Sequence, residues 1–241
     1  VFGGAAGTLY SPLPASFPKG MIQPAVIALG RAGAPGYIIP VVGSLRLGVA
    51  DREEVVVSGG AIVRGPSEYA GDSIVFGSAS WSMPVFHTDH AASSAIVKAS
   101  YVDSRTVDPI SNTTGLSGAF SAAASIGPLS IVATPELVIG AGDLGGAGGT
   151  FGESGFFRVT AYARAAAVLD LGPLSFALSG ALRNRVLPSG IVVEWPVNAG
   201  AELHVTVPNS FLSLSAAGAL RRHPIEGWYI ISGGGIAVLI R

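Results

Sequence analysis

FFRVTAYARAAAVLDLGPLSFALSGALR, from Phe156 to Arg183, is two runs of alternating residues joined at a Leu-Gly-Pro turn. In the first run Phe157, Val159, Ala161, Ala163, Ala165 and Ala167 share one face, and Arg158, Thr160, Tyr162 and Arg164 share the other. After Gly172 and Pro173, the residues Leu174, Phe176, Leu178 and Leu182 alternate with Ser175, Ala177, Ser179 and Arg183. A period of two is the signature of a pleated strand. Each run reaches about ten residues, the length a tilted strand needs to cross a bilayer. The pair reads as two staves of a membrane barrel.

The rest of the chain agrees with that reading. Only 12% of its 241 residues are charged, against about 25% in ordinary globular proteins, so few charges remain to coat a soluble surface. Mean hydropathy is +0.54 and glycine contributes 34 residues, yet no stretch of large apolar side chains is long enough for a spanning helix. The nearest rival, Gly115 to Thr134, carries Gly127-Pro128 at its centre, which breaks a helix. Ser117, Ser121 and Ser125 there share parity with Ala119 and Ala123, so two strands and a tight turn are expected. The absence of cysteine suits an envelope route without requiring it. A net charge of −1 with no Lys/Arg cluster gives no face for nucleic acid.

Twelve strands are expected, an even number as in bacterial barrels. They run over Met21 to Arg31, Tyr37 to Val49, Glu54 to Arg64, Ser73 to Met83, Ser94 to Val102, Gly115 to Ile126, Leu129 to Gly140, Phe156 to Leu171, Leu174 to Val186, Ile191 to Thr206, Phe211 to Arg221 and Tyr229 to Ile240. Short connections at Ala50 to Glu53, Gly127-Pro128, Gly172-Pro173 and Val207 to Ser210 alternate with longer ones at Gly65 to Asp72, Asp103 to Thr114, Ala141 to Gly155 and Arg222 to Trp228. That asymmetry is expected when both termini are periplasmic. Pro84 to Ser93 is the exception, long for an inner turn. The fold expected is all-β, one transmembrane antiparallel up-and-down β-barrel over residues 1–241, with residues 1–20 a periplasmic segment leading into the first strand.

Two stretches carry a family resemblance. Gly7-Thr-Leu-Tyr-Ser-Pro, then Phe17-Pro-Lys-Gly20 and an alternating strand, resembles the mature N-terminus of bacterial outer-membrane barrel proteins, including the YjbH-like group; Thr8-Leu9 and Leu13-Pro14-Ala15 match its pattern imperfectly. Ser44 to Gly60 is similar to the "RYGLTDRLEL" hairpin that recurs in outer-membrane barrels, with Gly48, Asp51, Arg52 and Glu54 at matching places and Glu53 where an apolar residue is usual. The resemblance implies a porin-like protein of the bacterial outer membrane, surrounded by its lipid, with trimers as one arrangement. Such barrels commonly end on an aromatic residue, whereas Ala237-Val-Leu-Ile-Arg241 closes this sequence. A differently recognised last strand, an interfacial Arg241 or a trimmed end would each account for that. Val1 opens in mature-looking sequence, so a secretory signal is expected to be already removed or absent from this sequence.

Parity assigns faces. Leu212, Leu214 and Leu220 are expected on lipid with Ser213, Ser215 and Ala217 inside; Ile191, Val193, Trp195, Val197, Leu203 and Val205 on lipid with Glu194, Asn198, Glu202, His204 and Thr206 inside. The lumen-lining candidates are Arg46, Lys98, Glu136, Arg158, Arg164, Arg183, Glu194, Glu202 and His204, among Ser, Thr, Ala and Gly. Arg158, Arg164 and Arg183 are expected to look across the lumen toward Glu194 and Glu202. Tyr37, Trp81, Tyr101, Trp195, Trp228 and Tyr229 are candidates for interfacial girdles or for ordinary packing.

Sites for chemistry are scarce. Gly140-Ala-Gly142-Asp-Leu-Gly145 fits the dinucleotide fingerprint, but the next ten residues, GAGGTFGESG, cannot form the helix the motif needs. His87-Thr-Asp-His90 lacks a further zinc ligand. No G-x-S-x-G elbow and no Ser-His arrangement of the outer-membrane hydrolases is present, and His204 and His223 have no nucleophile that sequence can place beside them. Asn112-Thr-Thr114 fits a glycosylation sequon, a signal without force in a bacterial loop. The expectation is a non-enzymatic barrel without cofactor or metal, passing ions or small hydrophilic solutes through a narrow pore. Two alternatives stay open: a closed barrel serving envelope attachment or polysaccharide export, and a soluble Gly-rich β adhesin or sheath protein.

Overall fold

In the computed structural model, the described residues are 14, 17–30, 37–65, 74–104, 110–144, 156–187, 190–208, 210–223 and 227–240. They form twelve strands: β1 (Ile22–Gly30), β2 (Tyr37–Ala50), β3 (Glu53–Gly65), β4 (Ile74–His87), β5 (Ala91–Ser104), β6 (Ile110–Ile126), β7 (Leu129–Leu144), β8 (Phe156–Asp170), β9 (Leu174–Leu187), β10 (Gly190–Thr206), β11 (Leu212–His223) and β12 (Gly227–Val238). Every strand pairs antiparallel with its neighbours in sequence, and β1 pairs with β12, so the sheet closes into a barrel without edges. A reciprocal pair of hydrogen bonds between Ile22 and Ile240 (2.9 and 2.8 Å) seals the seam at the end carrying the termini. A closed barrel is neither a β-sandwich nor a β-solenoid, the architectures that a soluble Gly-rich β adhesin or sheath protein would take.

Alternation survives into the tertiary structure and sorts the side chains. On β7, Leu129, Ile131, Leu137 and Ile139 are exposed outward, while Val132 and Thr134 between them are buried inside. The same parity exposes Leu45, Val57, Val97, Leu116, Phe120, Phe176, Leu178, Leu214 and Leu220. An outer surface so uniformly apolar has hydrocarbon, not water, as its matching solvent. No helix among the described residues is long and apolar enough to cross a membrane, and here strands do the crossing.

The tight turns arise from local chemistry. Gly127 and Gly172 take positive φ of 58° and 84°, where a side chain would be strained, and the Asp170 carboxylate accepts the Gly172 amide at 2.9 Å. Arg52 also takes a positive φ, of 64°, because the β2–β3 connection is cut to Asp51-Arg52 by a bulge that sets Gly48 opposite Glu54 and Ala50 opposite Glu53. That bulge fixes the register across the turn, with Glu53 paired to Ala50.

Some expected boundaries move. Pro84 to Ser93 is not a long turn: β4 runs on to His87 and β5 begins at Ala91, with a bulge between Pro84 and Phe86. A bulge tolerates a proline within the strand. Trp81 therefore stands mid-strand, exposed outward, rather than at a strand end, while Tyr101 lies near the end of β5. The side chains of Tyr37, Trp195, Trp228 and Tyr229 lie outside the described part. Gly140 to Leu144 belongs to β7, so the dinucleotide-like motif begins inside a strand, and Gly145 lies outside the described residues. His87, Asp89 and His90 are exposed at the β4–β5 hairpin, where the Thr88 hydroxyl accepts the amide of Ala91 at 3.0 Å.

Candidate functional site

The lumen is built from what the period of two leaves inside. Small hydroxylated residues dominate one wall: Ser78, Ser80 and Ser82 on β4, Ser94 and Ser100 on β5, Ser117, Ser121 and Ser125 on β6, and Thr134 on β7. Their hydroxyls meet across strands, with Ser58 and Ser78 at 2.7 Å, Ser125 and Ser130 at 2.8 Å, and Thr134 donating to Ser121 at 3.1 Å. The other wall is more apolar, and Leu29, Ala181, Ala219 and Ile231 cluster there. Ser121, Thr134 and Val132 are almost inaccessible to water, at 0%, 1% and 1%, so the lumen is filled around them.

The charged candidates fall into three groups. Near the end of the barrel carrying the termini, Arg46 on β2 donates from Nε to the Glu54 carboxylate of β3 at 2.8 Å, and its terminal nitrogen approaches the same oxygen at 2.5 Å. Farther along, Arg164 on β8 forms an ion pair with Glu136 on β7, and its guanidinium lies 4.8 Å from the centre of the Tyr162 ring. Lys98 on β5 shares their inward face, opposite Ser117 of β6. On β10 the Glu202 carboxylate is 3.4 Å from His204 Nε2. A cavity of about 150 Å³ lies against Glu202, His204, Gln23, Thr206, Ser213 and Ser215.

Arg164 forms an ion pair with Glu136 on the adjacent strand, a pairing that the expected view across the lumen toward Glu194 and Glu202 did not include. Neighbouring inward residues on paired strands have Cβ atoms about 5 Å apart, so an adjacent carboxylate is reached first. Arg183 and Glu194 are opposite each other in the β9–β10 register, just before a bulge spanning Glu194 to Asn198. That bulge adds an even number of residues and leaves the parity of β10 unchanged. The side chains of Arg158, Arg183 and Glu194 lie outside the described part.

Glu54 is the lumen residue that the sequence did not single out; it is 2% exposed. Its parity with Val56 and Ser58 was readable, but only the β2–β3 register brings it to Arg46.

The segment before β1 also reaches inside. Pro14 and Phe17 are buried, and the Arg46 guanidinium lies 4.3 Å from the centre of the Phe17 ring. Gly20 donates to the Gly48 carbonyl and Gly48 to that of Met21, both at 2.9 Å. A Cβ at Gly48 would come within 1.9 Å of the Pro18 carbonyl oxygen, so only glycine lets this segment turn into the lumen. Phe17→Ala should lower the unfolding free energy by about 1 kcal/mol from the lost cation–π contact alone, read by urea unfolding in micelles. Unchanged stability would show that Phe17 does not hold the segment there.

The translocator domain of the autotransporter NalP from Neisseria meningitidis is similar in structure, with a TM-score of 0.61 at 10% identity over 90% of this chain and 87% of that one. The chain has the outer-membrane barrel fold. The β domain of the Bordetella autotransporter Brka gives a TM-score of 0.48 at 8% identity, covering 90% of this chain and 97% of that one. A mutant of the Rh. blastica porin gives 0.30 at 9%, covering 91% and 99%. No protein-family model matches the chain, and no curated protein matches it in sequence. At such identities the likeness extends to the fold alone. The YjbH-like resemblance finds no support in these comparisons.

Proposed function

We propose that the chain acts in the bacterial outer membrane as a passive, narrow conduit for ions and small hydrophilic solutes. The observation that carries this reading is the β4–β7 inner wall, a surface of serine and threonine hydroxyls whose nearby charges are largely paired. Such a wall offers a solute hydrogen bonds in place of water. Phe17 and the tightly packed residues around Ser121 narrow the path, which limits the solute to small size.

Planar-bilayer recordings on the folded protein test it. Small, resolvable unitary currents are expected, and the absence of channel events from protein shown to be folded would sink the pore. The near-zero exposure of Ser121, Thr134 and Val132 favours a second reading, a closed barrel whose lumen charges only satisfy one another. Silence in the bilayer, together with co-purification of a periplasmic or surface partner, would select that one.

A further inference from the structure

Lys98 differs from the other described cations of the lumen. Arg46 is engaged by Glu54 and Arg164 by Glu136, but among the described residues Lys98 makes no ion pair. The Arg164–Glu136 ion pair is neutral as a unit, so the ammonium of Lys98 adds one positive charge to this part of the lumen.

Its surroundings are hydroxyls. The register sets Ser80 of β4 directly opposite Lys98 on one side and Ser117 of β6 directly opposite on the other, which brings their Cβ atoms to about 5 Å from that of Lys98. One inward step toward the hairpin end stands Ser82, 6% exposed, whose hydroxyl has no hydrogen-bond partner. A buried hydroxyl left unmatched is costly, on the order of 1–3 kcal/mol, and a ligand that accepts its proton removes that cost.

An ammonium flanked by hydroxyl donors recognises a small anion: the cation supplies the charge and each hydroxyl donates a hydrogen bond. We propose that Lys98, with Ser80, Ser82 and Ser117, forms a subsite for a small monovalent anion on the inner wall, and that it makes the conduit prefer anions. The preference rests on the pore reading above; the subsite itself does not.

Two measurements separate them. In bilayers under a KCl gradient, the wild-type barrel should pass chloride about fivefold more readily than potassium, the weight of one nearby charge in a watery lumen. Lys98→Gln should bring the ratio near unity, and Lys98→Glu should invert it. A wild-type channel without preference, or a Lys98→Gln channel that keeps it, would overturn the proposal. Chloride-35 NMR of the folded barrel in micelles needs no open channel. Wild-type protein should broaden the chloride line and Lys98→Gln should not, whereas equal broadening by the two proteins overturns the subsite. A silent bilayer with Lys98-dependent broadening would remove the pore and keep the anion site.

Discussion

Glu54→Gln is expected to lower the unfolding free energy by about 3 kcal/mol, the lower end of the range for breaking a buried ion pair. The carboxylate is 2% exposed and takes two contacts from Arg46, itself only 13% exposed. Glutamine keeps the volume and one acceptor oxygen, so the loss comes from charge and not from a cavity. What remains is a guanidinium in a confined space without its counter-ion. The stacking of Phe17 on Arg46 and that cation's other contacts soften the effect and place it at the low end. Removing both charges, as in Arg46→Met with Glu54→Leu, should recover most of the stability because nothing uncompensated is left. Urea unfolding in micelles, followed by tryptophan fluorescence, reads all three proteins. If Glu54→Gln unfolds with the wild type, the pair contributes nothing and the barrel end is held by the sheet alone.

Leu137→Arg is expected to cost about 3 kcal/mol, and Leu129→Arg less than about 1 kcal/mol, in a lipid bilayer. Both leucines point outward, at 49% and 39% exposure, and neither touches the packed lumen. They differ in depth: Leu137 sits in the middle of β7, Leu129 at its first position beside the Gly127-Pro128 turn. An arginine at the midplane must thin the bilayer or carry water inward, whereas one at the interface reaches the headgroups. The contrast isolates depth from substitution, since both changes are the same in chemistry and on the same face. Equal costs at the two positions would mean that the outward face of β7 does not meet a hydrocarbon layer centred on the barrel.

Parity was the part of the structure most legible in the sequence. From Phe156 to Arg183 the alternation gives the correct inner face, as the burial of Thr160, Ala166, Ala177, Ser179 and Ala181 shows. Ser213, Ser215 and Ala217 are likewise turned inward, opposite Leu214 and Leu220. Boundaries were less legible. Pro84 to Ser93 read as a long inner turn, and only pairing with β5 shows that β4 continues to His87 with a bulge between Pro84 and Phe86.

Ion-pair identity was not legible at all from faces. Arg46, Lys98, Glu136, Arg164 and Glu202 were all assignable to the lumen, but which carboxylate meets which cation depends on how far each strand is displaced along its neighbour. Glu54 shows this most clearly. A bulge at Gly48 to Ala50 sets Glu54 beside Arg46, and no pattern within either strand records that displacement.

The sequence by itself determined about twelve alternating strands and which residues share a face in each, because the face of every strand residue is fixed locally by the two-residue period of the pleat. Only the tertiary structure decided the closure and stagger of the strands, the seating of Phe17 against Arg46 in the lumen, and the place of Lys98 among hydroxyls. Those depend on register and closure, which come from hydrogen bonds between strands and have no counterpart in the order of residues along one strand.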